Sequence, residues 1–164
     1  MQSRRAMLAG SVALIGLAAA GCGPGAESSD EARAAPPLRR AAGELVMHRD
    51  PHCGCCLAWA ALAEQAGYAV RVVEEADMGV VKARLGVPEE LASCHTVRVD
   101  GLVIEGHVPL AAIAALRARR PDGVIGLAVP GMPRGSPGME MPDGSVDPYQ
   151  VFAFDRFGRV SVFA

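Results

Sequence analysis

His52-Cys53-Gly54-Cys55-Cys56-Leu57-Ala58-Trp59 follows a short apolar run, Glu44-Leu45-Val46-Met47-His48, and opens a helical pattern. Asp50-Pro51 breaks the run, which reads as a strand. The helix is expected to continue through about Ala66, with Trp59, Leu62, Ala63 and Ala66 on one face, and Gly67 stops it. Ala69 to Val73 reads as a second strand, so the thiols stand at the strand-to-helix junction of a β-α-β unit. A helix N-terminus gathers unpaired N–H groups and partial positive charge, which favours thiolate over thiol. Thiolate is both a nucleophile and a soft-metal ligand, so the stretch reads as a redox site or a metal site.

Downstream, Asp77 is placed to cap a helix over Met78 to Leu85, closed by Gly86 and Pro88. Thr96 to Val99, Asp100-Gly101 and Leu102 to Glu105 read as a tight β-hairpin. Pro109 suits the first turn of a helix carrying Leu110, Ile113, Ala114 and Arg117, which ends at Arg119-Arg120-Pro121. The order β-α-β-α-β-β-α, with cysteines at the first helix, is α/β and resembles the thioredoxin fold. That fold carries a cis-proline loop facing the cysteine motif. The matching stretch here is Ser93-Cys94-His95-Thr96, with two potential metal ligands and no proline. From Gly126 to Pro142 the chain is rich in Gly, Pro and Met and too irregular for a helix or strand, and loops this long are usually functional or disordered. Tyr149 to Phe154 and Arg159 to Phe163 read as a closing hairpin.

Upstream, residues 1–22 have the form of an export signal. A short basic start, an apolar run from Val12 to Ala20 and small residues at the end make the secretory pattern. The run is shorter than the ~20 residues a membrane span needs. Ser3-Arg4-Arg5-Ala6-Met7-Leu8 resembles a twin-arginine signal, with Met7 for the usual Phe and Ala9 for the usual Lys. Ala19-Ala20-Gly21-Cys22 resembles a lipobox with Ala19 for the usual Leu. Lipidation at Cys22 would be the only membrane attachment, and ordinary cleavage after an Ala-x-Ala site is the alternative. Residues 23–43, rich in Gly, Ala, Ser, Glu and Pro, read as a flexible tether, which leaves 44–164 as the folded domain. Lys82 is the only lysine and the arginines are scattered, so nucleic-acid binding finds no support. Aromatics are 4% of the chain, so the core must be small and aliphatic.

A structural disulfide framework is the plain reading of Cys53, Cys55, Cys56 and Cys94 in an oxidising compartment. A third thiol inside Cys-x-x-Cys gains nothing for such a staple, whereas converging thiolates suit a soft ion such as Cu(I). Cys94, alone, reads as a small buried hydrophobe, and its place opposite the cluster beside His95 makes both candidate ligands. His107 stands evenly between ligand and structural histidine. His48 and His52 flank the cluster and are not expected to be primary ligands. Met132, Met139 and Met141 lie in a loop without an apolar face, so the core-filler reading is weak there; thioether selects Cu(I). Zinc and iron–sulfur centres use Cys and His as well. Glu105, Glu140 and Asp143 read as solvated or structural.

Four segments together resemble the bacterial CopG family, a former domain of unknown function associated with copper resistance. They are Cys53-Gly54-Cys55-Cys56, Ser93-Cys94-His95-Thr96, Ile104 to Pro109, and Pro130 to Met139. The resemblance covers roughly residues 44 to 164, essentially the whole domain. It implies a thioredoxin-like fold, export, and copper binding by the cysteine cluster with its facing residues; copper ions are the expected partner, and envelope copper-handling proteins are candidates that the sequence does not single out. The expected ligands are Cys53, Cys55, Cys56 and Cys94, completed by His95, His107, Met132 and Met139, the two methionines of the matching segment. The expectation is a metal-binding protein holding Cu(I) for copper tolerance, able to exchange the oxidation state of copper. The alternative is an enzyme, an envelope thiol–disulfide oxidoreductase working through Cys53 and Cys56.

Overall fold

The computed structural model describes residues 43–163. The export signal, Cys22 and all but the last residue of the tether lie outside the described residues. The elements run β1 (Glu44–Arg49), α1 (Gly54–Gln65), β2 (Ala69–Glu74), α2 (Met78–Leu85), β3 (His95–Val99), β4 (Leu102–Glu105), α3 (Leu110–Arg119), β5 (Val124–Ala128), β6 (Phe152–Asp155) and β7 (Val160–Val162), with one short 3-10 turn at Glu89–Leu91. The fold is mixed α/β. Among the described residues no helix is long and apolar enough to cross a membrane.

Local chemistry explains most of the boundaries. The Asp77 carboxylate accepts the Val80 N–H and starts α2, and Gly86 ends it in the left-handed conformation. Asp100 and Gly101 both take positive φ, as a two-residue hairpin between β3 and β4 requires. Two expectations are corrected. Val124–Ala128 is a strand rather than part of an irregular loop: flanked by turn residues, its apolar stretch pairs with β4 on one side and β6 on the other. The buried stripe of α1 is Cys56, Trp59, Ala60 and Ala63, one turn nearer the N-terminus than expected, and Ala66 is exposed. The helix tucks its first turn, and with it a cysteine, against the sheet.

The seven described strands form one sheet in the order β2-β1-β3-β4-β5-β6-β7. β1 and β2 are parallel, as are β4 and β5, and the other neighbours are antiparallel. Side chains alternate between faces. The row Met47, Val97, Ile104, Leu127 and Ala153 lies under α1 and α3, and packs with Trp59, Ala63, Ile113 and Leu116 in the main core. The next row, His48, Thr96, Glu105 and Ala128, faces the α2 side, where Val87, Leu91, Val103 and Phe154 form a smaller cluster.

The pairing directions decide where the chemistry collects. β3 runs antiparallel to β1, so its first residue, His95, stands opposite Arg49, the last of β1. β4 reverses again and β5 runs parallel to it, so Glu105 and Ala128 end at the same edge. The cysteine loop, the Ser93–Cys94 entry, the Gly106–His107 exit and the Gly/Pro/Met loop therefore all emerge from one end of the sheet.

Candidate metal centre

Arg49 sets the cysteine loop. It is 5% exposed, and its guanidinium donates to the carbonyls of Asp50, Pro51 and Cys53 and to the Glu74 carboxylate. Those carbonyls lie in the turn that leads from β1 into α1, so the arginine ties that turn to the strand end. Cys53 then takes the N-cap position of α1 without a side-chain cap, so the cysteines stand at the helix end whose N–H groups have no partner within the helix.

Cys53 and Cys56 are joined by a disulfide, with Cα atoms 5.7 Å apart; Cys55 and Cys94 are free. The Cys55 Sγ lies 3.3 Å from that of Cys53 and 3.8 Å from that of Cys94. All four Sγ atoms fall within 4.8 Å of one another. Cys94, His95 and His107 form a second such group, so Cys94 belongs to both. Its Sγ is 3.2 Å from His95 Nδ1 and 3.1 Å from His107 Nε2.

The histidines are buried and oriented. His107 Nδ1 donates to the Pro137 carbonyl at 2.8 Å, which leaves the Nε2 lone pair facing Cys94. This is how metal-ligating histidines are usually held. The His95 and His107 rings meet edge to face, with centroids 5.0 Å apart, and the Trp59 ring lies 5.3 Å from His95. Trp59 itself is fixed by its indole N–H, which donates to Val108 O. Burial, then the nearby charges of His107 and Lys82, push the His95 pKa down to about 3, so its ring is neutral at physiological pH. Burial lowers that of His107 as well. Burial, followed by the neighbouring Cys55, pushes the Cys94 thiol up to about 12.

The long loop lies over this site. Ser93 and Gly131 form a single parallel bridge, Gly131 N–H donates to Ala92 O, and the Ser93 hydroxyl donates to Gly131 O. Further along, Gly138 crosses the first turns of α1 so closely that a Cβ there would stand 2.6 Å from the Trp59 amide nitrogen. The structure thus brings together Cys53, Cys55, Cys56, Cys94, His95 and His107. Met132 is 54% exposed, and Met139 is half-buried on the loop segment beside Gly138. His48 bonds Glu75 instead, and His52 is exposed beside Asp50, so neither joins the cluster.

Arg49 and Glu105 are buried at the site, with Lys82 partly buried beside them, without standing out in the sequence. The Glu105 carboxylate is fully buried and binds Lys82 Nζ at 2.5 Å, Ser93 N–H at 2.7 Å and the Thr96 hydroxyl at 2.6 Å. The available signal was a charge closing the apolar strand Leu102-Val103-Ile104, and the only lysine of the chain on the facing helix.

Residues 91–139 match the model of a family described as "Protein of unknown function, DUF411". A search of the curated proteins found no match. Two solved structures are similar to this chain, both of the copper resistance protein CopG. Form 1 is 51% identical with a TM-score of 0.69, over 74% of this chain and 94% of that one. Form 2 is 50% identical with a TM-score of 0.70, over 74% of this chain and 96% of that one. At that identity, over nearly the full length of both relatives, the chain belongs to the CopG family.

Proposed function

We propose that the protein is an exported copper-binding protein of copper tolerance, holding Cu(I) at a centre built from Cys53, Cys55, Cys56, Cys94, His95 and His107. The observation that carries this reading is the position of Cys94, a sulfur shared by a four-thiol group and a Cys-His-His group. Thiolate sulfur and neutral imidazole are the donors that copper takes in preference to harder ions, and bridging sulfurs allow more than one ion. His107 already presents its lone pair, fixed by Pro137. Met132 and Met139 are the thioethers assigned to complete the set from the covering loop. Alternation between Cu(I) and Cu(II) at such a centre, with a one-electron donor or acceptor from outside the chain taking up the difference, would let the protein exchange the oxidation state of its cargo. The fold reading that accompanies it is thioredoxin-like; the order β2-β1-β3-β4, with β1 and β2 parallel and the thiols at the start of α1, supports it. Export to the periplasm or a lipid anchor at Cys22 rests on the signal-like residues 1–22.

The disulfide makes copper loading conditional on reduction, because two of the four sulfurs lack a free thiolate while it stands. Anaerobic titration of the reduced protein with Cu(I) against a competing chelator, with stoichiometry from native mass spectrometry, tests the reading. Since losing a group that only hydrogen-bonds a metal ligand already costs ~10–100-fold in metal affinity, Cys94→Ser should cost at least that. Wild-type affinity in both Cys55→Ser and Cys94→Ser would overturn it.

The disulfide at the head of α1 is also the specific observation in favour of a thiol–disulfide oxidoreductase. On that reading Cys53 and Cys56 exchange with protein disulfides without metal, and Cys55 and Cys94 are dispensable. Reduction of a model disulfide substrate by the Cys55→Ser/Cys94→Ser variant at the wild-type rate, with no Cu(I) bound in competition, would select it.

A further inference from the structure

We propose that Glu105, with Lys82 as its counter-charge, is the positioning residue of the metal centre, holding the Ser93–Cys94 peptide so that the Cys94 sulfur meets both Cys55 and His107. The inference rests on the metal-centre reading and names what assembles that site.

Cys94 lies just before β3 begins, so the sheet ladder does not fix it. Glu105 does, from the neighbouring strand end. Its Oε1 accepts the Ser93 N–H at 2.7 Å, the donor one residue before Cys94. Its Oε2 accepts from the Thr96 hydroxyl, and Lys82 Nζ donates both to Oε1 and, at 3.1 Å, to Thr96 Oγ1. Both carboxylate oxygens are engaged in one geometry. Stability alone is a weak account of it, since a buried ion pair loses in desolvation much of what it gains and apolar replacements are often no less stable. Orientation is what the carboxylate adds here. Ser93 also spends its hydroxyl on Gly131 O, and Ala92 O takes the Gly131 N–H. Glu105 therefore anchors a segment stitched to the same loop whose Pro137 carbonyl orients His107. Gly106, next in the chain, leaves no room for slack: at φ +72° it passes so close to Ser93 that any Cβ would collide with that side chain.

The test compares two double variants that both remove the buried charges. Lys82→Met/Glu105→Gln keeps an acceptor for the Ser93 N–H, and Lys82→Met/Glu105→Leu does not. A pair of single changes leaves Glu105 in place: Ser93→Pro deletes the N–H, and Ser93→Ala keeps it. Ala92 has ψ 140°, compatible with a following proline. Two readouts are taken, with Tm recorded throughout. One is metal-free: the rate at which dibromobimane bridges Cys55 and Cys94 while the Cys53–Cys56 disulfide is intact. The other is Cu(I) affinity of the reduced protein. The Leu double variant and Ser93→Pro should bridge the two thiols and bind Cu(I) at least about tenfold less well, the scale of a lost outer-shell contact. The Gln double variant and Ser93→Ala should stay near wild type. Wild-type bridging in both the Leu double variant and Ser93→Pro would overturn the proposal. So would losses no larger than those of a Leu127→Ala core variant of equal Tm. A wild-type protein that bridges its thiols as described but fails to compete for Cu(I) would sink the copper reading and leave the positioning role standing.

Discussion

The Cys94 sulfur has His95 Nδ1, His107 Nε2 and the Cys55 sulfur all within 3.8 Å, and its thiol is pushed up to about 12 by burial and by Cys55. In the metal-free protein it is therefore protonated at neutral pH. Binding a soft ion there must release that proton, so apparent Cu(I) affinity should rise by about tenfold per pH unit for each proton displaced. Chelator competition across neutral and mildly alkaline pH measures it, and a flat profile would exclude Cys94 as a ligand. The same shift makes a stability prediction for the metal-free domain. A raised folded-state pKa contributes stability that is fully present below the unfolded value, near 9, and is lost as pH climbs to about 12. Urea unfolding of wild type and Cys94→Ser over that window should show the wild type losing more. Gly138 is the second decisive residue. Gly138→Ala places a side chain at φ +81° against the Trp59 amide, where the left-handed backbone alone costs about 1–2 kcal/mol. The loop should lift from α1, and Cu(I) affinity should fall about tenfold as His107 loses its Pro137 acceptor.

The element whose integrity matters most to the site is the loop from Val129 to Gln150, which has no helix or strand of its own. Besides Gly131 and Gly138 it is held by Arg134, whose guanidinium and N–H both donate to the Asp147 carboxylate, answered by Asp147 N–H to Arg134 O. Hydrogen bonds from Arg134 keep the Asp147 carboxyl below the usual range. The contact should therefore persist above the ordinary carboxylate range and be lost only as pH falls through the depressed value. Asp147→Asn should weaken Cu(I) binding severalfold with little change in Tm, because the bracket lies at the surface and away from both cores. A large drop in Tm, seen by circular dichroism, would instead make the bracket part of the global fold. At this scale the sequence was informative wherever a local signal acts alone. Asp77 and Gly86 bound α2, and Asp100-Gly101 turns the hairpin, as their side-chain and backbone chemistry requires. It was least informative for α1 and β5. The stripe of α1 depends on which turn meets the sheet, and β5 is a strand because β4 and β6 flank it.

Across the described residues, the candidate site adjoins the main core, which takes in Cys56 and has Cys53, Cys55 and Cys94 packed against it. The main core, with Leu45, Met47, Trp59, Ile104, Ile113, Leu116 and Leu127, lies between the sheet and the pair α1 and α3. Leu127 is fully buried on β5, and Leu127→Ala should cost about 2–5 kcal/mol in urea unfolding, the range for a buried leucine. His107→Ala should lower Cu(I) affinity while costing less stability than Leu127→Ala, since His107 sits beyond the strand end under the loop. The sequence by itself determined the order of elements through α3, the turn and cap positions, and the residue types of the site. Those follow from spacing, propensity and side-chain chemistry, which are local. It named the four cysteines, His95 and His107 as candidates from their types and from the family resemblance. Only the tertiary structure decided that Cys53 pairs with Cys56, that Cys55 and Cys94 stay free, and that Cys94 stands in both ligand groups. Only it drew Arg49, Lys82 and Glu105 inward, because a charged residue is buried when neighbouring strands and a facing helix supply its partners. Glu74 lies 25 residues from Arg49, and Glu105 lies 23 from Lys82. Contacts of that separation are set by strand direction and register, which no local pattern encodes.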